Sequence, residues 1–455
     1  MVVAGNPPPP HVAVFAFPFG SHLWQIYTLT RALAAAAPTA IFSLVSTAGS
    51  LAGLPRTAEN IRFCEIEDGM PEGGAEAAKA GLVERVESFL AAAPGNLRAS
   101  KEAAEAGAGG IPVSCVVSDA FIWEAASVAE EMEVPWAPVV ASFPLALLAH
   151  LHTDNLRRRF GVEGQVMPAH ADDLLDFIPG LATMRVRDLP EGVVFSGTDS
   201  MFAAHLYGMA QRLLHAPVVA LAAITGLDPE ADSHFHSKLN HPLLVAPLHL
   251  LSSPSSPLSD KELCLPWLDR RAPSSVAYVS FGSFSSLPLD ELAELAHGLE
   301  DSGAPFLWSL KEEERTALPE GFVERTAARG KVVAWTPQVA VLGHPAVGVF
   351  VSHGGWCSAQ ESMAAGVAMI FRPVYGDQRM VARAVAASWG FGVNLEGEMT
   401  RVGLVGALNG VLKGKEGKKM RAKARDLKEM IEKAISAGGS SSENLKTLVE
   451  FVCRR

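Results

Sequence analysis

The residues with the most chemistry in them lie close together, between Trp335 and Gln378, where the chain reads WTPQVAVLGHPAVGVFVSHGGWCSAQESMAAGVAMIFRPVYGDQ. An apolar run from Gly348 to Ser352 has the pattern of a buried strand. His353-Gly354-Gly355 then makes a tight turn into a helix running to about Ala365, and a further strand, Ala368 to Phe371, leads into the Gly376-Asp377-Gln378 loop. A strand that ends in glycines and turns into a helix presents unpaired backbone N–H groups and the positive end of the helix dipole, which suits phosphate. His353 and Ser358 can donate to phosphate oxygens, and Glu361, one helical turn after Ser358, can accept from two ribose hydroxyls. Trp335 offers a flat apolar face for a nucleobase, with Gln338 beside it. Base, ribose and diphosphate would all find partners in one segment. Each residue also has a plainer use: a Gly-Gly turn is usually only a turn, a tryptophan such as Trp335 taken alone is more often core than a stacking platform, and Asp377 serves equally as the N-cap of a helix starting at Gln378.

What this stretch lacks is a base, and the N-terminal half supplies two candidates. His22 follows the apolar run His11 to Phe17 and the break Pro18-Phe19-Gly20. Asp119 follows the apolar run Pro112 to Val117. A histidine between a substrate hydroxyl and a carboxylate has its tautomer fixed and its imidazolium stabilised. Taken singly, His22 is an ordinary first-turn helix residue and Asp119 an ordinary helix cap.

The elements that must position these groups alternate from the start of the chain, predicting parallel sheets wrapped by helices. Ser21 is placed to cap a helix reaching about Ala36. Strands are expected at Ala40 to Val45, Ile61 to Cys64, Trp136 to Val140, Val218 to Ala223 and Leu243 to Val245, with helices at Phe121 to Met132, Pro144 to Arg159 and Phe202 to Leu214. Residues from Asp68 to Gly110, rich in Ala, Glu and Gly, read as helices joined by glycine-rich loops. Gly161 to Ser200 reads as an irregular surface excursion. The Ser- and Pro-rich run LSSPSSPLSD, Leu250 to Asp260, reads as an interdomain linker. A second alternation follows, with a strand at Val276 to Phe281, a helix at Leu289 to Leu299, a strand at Pro305 to Ser309, and closing helices from about Thr400. The expected organisation is an N-terminal Rossmann-like domain over 1–249, a linker over 250–262 and a C-terminal one over 263–455, facing each other across a cleft.

Composition narrows the function. A chain of 455 residues with 49% hydrophobic and 19% charged content is globular rather than disordered. A net charge of −11 argues against nucleic acid as a partner. The basic run Lys413 to Lys433 is interleaved with Glu416, Asp426 and Glu429 at helical spacing, the pattern of a solvated helix face. Five widely spaced cysteines without a CxxC fit a reducing compartment. The N-terminus lacks the pattern of a secretory signal. The apolar stretch Val134 to Leu151 is broken by Pro135, Pro138 and Pro144, so no membrane span is expected. A cytoplasmic monomer is the resulting expectation.

In its order and spacing, the stretch from Trp335 to Gln378 resembles the signature segment of plant UDP-sugar-dependent glycosyltransferases. The resemblance implies that Trp335 stacks on uracil while the backbone of Thr336 pairs with its edge. Gln338 and Glu361 would hold the ribose, and His353 and Ser358 the phosphates at the Gly354-Gly355 turn, with Ser283 of the FGSFSS turn. Trp356, Asp377 and Gln378 would line the sugar. Cys357 stands where the family usually has Asn, which removes one phosphate-side amide, and Ala368 replaces a usual Pro. FPFGSH and VVSDAFIW resemble the segments that carry the catalytic His and its partner Asp, here His22 and Asp119, with Ser21 beside the donor. PHVAVFAFPFGSH, VVSDAFIWEAA, RVRDLPEGVV, AYVSFGS and SGAPFLWSL resemble flavonoid 3-O-glucosyltransferases, anthocyanin-pathway enzymes of cereals in particular. The likeness covers most of the chain. It implies the GT-B fold, with the last helix crossing back to the first domain, and an acceptor contact at His150, which is otherwise an ordinary helix-surface histidine. It also implies that Gln378 marks a glucose user. Ala141, where close relatives carry a Thr bonding the sugar 6-hydroxyl, leaves a pentose or deoxysugar donor open.

The expected chemistry is transfer of a sugar, glucose in first place, from a UDP-sugar to a flavonoid 3-hydroxyl by single displacement with inversion. His22 acts as base, and no metal or other cofactor is required. The same chemistry on another phenolic or terpenoid hydroxyl is the alternative within enzymes. A catalytically dead nucleotide-sugar-binding relative is the alternative outside them, and the presence of both His22 and Asp119 argues against it. A nicotinamide-dependent oxidoreductase needs G-x-G-x-x-G after the first strand, where this chain has FPFGSH.

Overall fold

The protein is described here by a computed structural model covering residues 8–56, 58–70, 81–162, 169–195, 200–251, 260–284 and 286–454. Short, nearly uniformly apolar segments become the strands of two parallel sheets. The first contains β1 (His11–Phe15), β2 (Ile41–Thr47), β3 (Ile61–Ile66), β4 (Cys115–Asp119), β5 (Trp136–Val140), β6 (Val219–Leu221) and β7 (Pro242–Leu244) in the order β3-β2-β1-β4-β5-β6-β7. The second contains β8 (Val276–Ser280), β9 (Phe306–Ser309), β10 (Gly330–Val333), β11 (Val347–Ser352), β12 (Ala368–Phe371) and β13 (Gly392–Asn394) in the order β10-β9-β8-β11-β12-β13. Neighbouring strands in both are parallel. Parallel strands need helical crossovers that cover both faces, which is why β1, β4 and β8 are buried along their whole length.

In each sheet the order reverses once, between β1 and β4 and between β8 and β11. At such a point the loops leaving the carboxyl ends diverge, and a crevice opens where ligands bind. His22 and Asp119 sit at the first reversal. The FGS turn after β8 and the His353-Gly354-Gly355 turn after β11 sit at the second.

Among the described residues the chain divides into two compact units, one within Met1–Val166, Gly192–Ser255 and Ala434–Arg455, the other within Met167–Glu191 and Ser256–Lys433. This division differs from a single cut at the Ser- and Pro-rich run, most of which, 252–259, lies outside the described residues. The terminal helix Ser440–Val452 contributes Leu448 and Val452 to the core around β1, β2 and β4. Ser441 Oγ donates to the Ala246 carbonyl at 2.6 Å, and Asn444 Nδ2 to the Leu244 carbonyl at 3.0 Å.

Three expectations need correction. The described part of Asp68 to Gly110 holds one 26-residue helix, Leu82–Gly107, rather than several. Pro94 lacks an N–H, and its ring crowds the preceding turn. Burial of Phe89, Leu90, Ala93 and Leu97 along one face offsets that cost, and the helix continues through it. Pro144 to Arg159 is two helices, Pro144–Leu151 and Thr153–Phe160, separated at His152. The described part of Gly161 to Ser200 is no surface excursion: Leu175, Ile178, Leu181, Met184, Val186 and Leu189 are fully buried. Leu175, Ile178, Leu181 and Met184 recur every third residue, the N–H of each later one bonding the carbonyl of the one before in a chain of tight turns, and the short 3₁₀ turn Val186–Asp188 follows.

Candidate active site

The first unit builds a histidine–carboxylate pair. Phe15 of β1 lies in register with Ser118 of β4, so the residues just beyond each strand are neighbours. Gly20 takes a positive φ of 61° and lets the chain turn directly into the helix His22–Ala36. His22 Nδ1 lies 2.8 Å from Asp119 Oδ2, and Asp119 Oδ1 accepts from the Phe121 backbone N–H at 2.9 Å. Asp119 is fully buried while the His22 side chain keeps 17% of its surface. Both carboxylate oxygens therefore receive donors. The bond to Asp119 requires the proton on Nδ1 and leaves Nε2 as the basic nitrogen. Phe17 and Phe121 meet the imidazole edge-on, with ring centroids at 5.5 and 4.8 Å, and Phe17 packs in turn on Phe19 and Phe89. The pair stands in an aromatic wall.

Ser21 occupies the N-cap position of its helix without a side-chain capping bond. One turn further on, buried Gln25 donates to the Ala141 carbonyl at 2.6 Å, which ties position 141 at the end of β5 to the helix that begins with His22. His150 is not a surface histidine. It is 6% exposed in the helix Pro144–Leu151, its Nδ1 has no hydrogen-bond partner among the described residues, and burial pushes its pKa down to about 4.

The second unit builds the other constellation. Gly354 (φ 93°) and Gly355 carry β11 into the helix Trp356–Ala365, whose N-cap is Gly355. A Cβ at Gly355 would lie 2.5 Å from His353 Nε2, and one at Gly282, in the turn after β8, 3.0 Å from His353 Cε1. Only glycine admits the imidazole between these two turns. Exposed Ser283 follows Gly282. Burial pushes the His353 pKa down to about 4, so the ring is neutral near pH 7 and can donate one N–H.

Gln338, Ser358 and Glu361 meet as well. Gln338 Nε2 donates to Glu361 Oε2 at 2.6 Å and lies 3.1 Å from Ser358 Oγ. Burial pushes the Glu361 carboxyl up to about 7, against the opposing effect of the Gln338 bond. Trp335 is 47% exposed, so it is not a core residue, whereas Thr336 beside it is buried. Cys357 is half-buried in the first turn of the helix, and Trp356 is buried with its ring 6.1 Å from that of Trp389. Asp377 precedes the helix Gln378–Arg383 without a side-chain capping bond. Gln378 is buried, and its Oε1 accepts from the backbone N–H groups of Val374 and Tyr375 at 2.8 and 3.2 Å. It therefore braces its own loop, and only its Nε2 remains to meet a ligand.

One participant has no counterpart in the sequence analysis. Tyr278, in the middle of β8, places its hydroxyl 2.7 Å from Thr336 Oγ1 and 2.9 Å from Gln338 Oε1. Its only signal in the sequence is a tyrosine between the aliphatic residues Ala277 and Val279 of the strand. Among the described residues no group of three or more His, Cys, Asp or Glu could hold a metal ion, and no helix is long and apolar enough to cross a membrane.

Residues 252–426 match the family model described as UDP-glucoronosyl and UDP-glucosyl transferase. The chain is 47% identical to the myricetin 3-O-rhamnosyltransferase of Crocosmia x crocosmiiflora, covering 97% of each, and 44% identical to an anthocyanidin 3-O-glucosyltransferase of Zea mays, covering 98% of each. The crystal structure of a UDP-glucose:anthocyanidin 3-O-glucosyltransferase in complex with UDP is similar with a TM-score of 0.90 at 38% identity, over 98% of this chain and 99% of that one.

Proposed function

The chain belongs to the UDP-glucoronosyl and UDP-glucosyl transferase family and is a UDP-glycosyltransferase of GT-B fold class, and from that premise we propose that it transfers a sugar to the 3-hydroxyl of a flavonoid with inversion. The observation that carries the proposal is the His22–Asp119 pair set among Phe17 and Phe121. Aromatic edges suit a flat phenolic acceptor, and the Nδ1–H tautomer presents a base. His22 Nε2 takes the proton of the hydroxyl, the oxygen attacks C1 of the sugar, and the C1–O bond to UDP breaks on the opposite face. A positioned base of this kind contributes about 10²–10⁴ in rate.

The leaving diphosphate gains negative charge. His353, Ser358, Ser283 and the backbone N–H groups opening the helix Trp356–Ala365 are the donors assigned to it, so no divalent cation is required. Trp335 is assigned to the uracil face, Thr336 to its edge, and Glu361 to the ribose through the oxygen that Gln338 leaves available. Trp356, Asp377 and the Nε2 of Gln378 are assigned to the sugar.

Glucose is the first donor assigned. Ala141 supports a second reading, a 6-deoxyhexose. It has no hydroxyl to meet a sugar O6, it is held beside the His22 helix, and a relative of 47% identity is named a rhamnosyltransferase. The test is incubation with UDP-glucose, UDP-galactose, UDP-xylose and UDP-rhamnose against myricetin, quercetin and cyanidin, with products resolved by mass and linkage assigned by NMR. Sugar on the flavonoid 3-oxygen, with C1 inverted, is expected. Exclusive transfer to another position, or retention at C1, would overturn the proposal.

A further inference from the structure

Resting on the UDP-sugar reading, we infer that Tyr278 is a positioning residue for the ribose grip, acting through the orientation of the Gln338 amide. Along β8 side chains alternate between faces: Ala277 and Val279 point into the core cluster, and Tyr278 points the other way. Its ring is stacked on Phe350 of β11, with centroids at 4.8 Å and planes within 19°, so the phenol is held along its length. It is fully buried, and burial raises its pKa far above the ordinary value, so the hydroxyl stays protonated and must use its hydrogen.

That hydrogen goes to Gln338 Oε1 at 2.9 Å, and the hydroxyls of Thr336, 2.7 Å away, and of Ser280 donate to the phenol oxygen. An amide whose oxygen is held this way can present only its NH₂ to the other side. There the two hydrogens meet Ser358 Oγ and Glu361 Oε2. Two consequences follow for the ligand. The Ser358 oxygen is occupied as an acceptor, which directs its own hydrogen outward as a donor. Glu361 has one oxygen engaged, leaving the other for a ribose hydroxyl. Above about pH 7, where the Glu361 carboxyl is ionised, a reversed Gln338 amide would set its oxygen against the carboxylate and Ser358 would turn its hydrogen inward. One buried hydroxyl thus sets the polarity of three residues that face the nucleoside diphosphate, without touching it.

The test is calorimetric binding of UDP, 2′-deoxy-UDP and 3′-deoxy-UDP to the wild-type chain, Tyr278→Phe, Gln338→Ala and the double variant. Phe keeps the stack on Phe350. Wild type should lose about 10-fold in affinity when a ribose hydroxyl is removed, because the acceptor that faces it is left unpaired. Tyr278→Phe should bind UDP about 10-fold more weakly and the deoxy-nucleotides less than 3-fold more weakly, so the preference for ribose collapses. In the Gln338→Ala background the Phe substitution should add less than 2-fold, since its route runs through the missing amide. If Tyr278→Phe does not fold, Tyr278→Phe with Thr336→Val removes both hydroxyls, so neither is orphaned, and must show the same collapse. Equal weakening toward all three nucleotides, or full additivity with Gln338→Ala, would show a merely structural residue and overturn the inference while leaving the UDP reading intact. A wild-type chain that does not bind UDP would overturn both.

Discussion

Replacing Asp119 by asparagine tests the tautomer on which the proposed base depends. Two donors converge on this carboxylate, His22 Nδ1–H at 2.8 Å on one oxygen and the Phe121 N–H at 2.9 Å on the other. Asparagine has one acceptor atom for the two. If the amide oxygen faces His22, its NH₂ confronts the Phe121 N–H, and a buried backbone donor goes unpaired at a cost of about 1–3 kcal/mol. If the oxygen stays with Phe121, the NH₂ faces Nδ1, which must become an acceptor. The proton then moves to Nε2 and the base is gone. The second arrangement strands no buried donor, so it is the one to expect. Loss of a general base lowers kcat by about 10²–10⁴, or about 2.7–5.5 kcal/mol at 1.36 kcal/mol per decade. Steady-state transfer to a flavonol should show that drop, while calorimetry finds UDP affinity within about 2-fold of wild type, because the residues proposed to hold UDP lie in the second unit. His22→Ala should fall at least as far. A kcat for Asp119→Asn within about 5-fold of wild type would refute the assignment.

Three further outcomes are expected. The affinity for UDP-glucose, whose diphosphate does not itself titrate near neutrality, should rise with pH and level off above about 7. In the unliganded protein the Glu361 carboxyl is raised to about 7, and below that value it must lose a proton to accept from ribose. A flat profile from pH 5.5 to 8 would remove Glu361 from that role. Cys357→Asn adds an amide donor in the first turn of the Trp356–Ala365 helix and should tighten UDP by about 5-fold in calorimetry; unchanged affinity would mean the position does not face phosphate. Ala141→Thr should move the kcat/KM ratio of UDP-glucose over UDP-rhamnose toward glucose by about 10-fold, and no change would detach position 141 from sugar selection.

The meeting of Ser358 and Glu361 and the glycine turn before them was legible because these residues lie within one strand–turn–helix unit, where spacing alone puts Ser358 and Glu361 on one helix face and glycines at 354 and 355. His22 and Asp119 were legible singly, as polar residues following apolar runs, but their pairing came only from the family resemblance, because nothing local in the sequence makes β1 and β4 neighbours. Tyr278 was not, since the partners that tie it to the ribose residues, Thr336 and Gln338, are 58 and 60 residues away, and only Ser280 is close in sequence. Gln378 was half legible. Its place in the loop could be read, but the capture of its oxygen by the N–H groups of Val374 and Tyr375 depends on how residues 374–378 curl. The long helix through Pro94 was misread because packing overrode a helix breaker, and the burial around Ile178 because a spacing of three at Leu175, Ile178, Leu181 and Met184 fits neither the helix nor the strand period.

The placement of Leu448 and Val452 in the first core has a consequence for biosynthesis. On the ribosome every residue of the second unit is translated before these two side chains emerge, so the unit begun first is the last to be completed. Until then the core around β1, β2 and β4 lacks these two side chains, whose burial is worth about 1.5–3 kcal/mol each. A nascent chain stalled before residue 440 would therefore be a client for chaperones, and residues 1–250 made alone should be prone to aggregate.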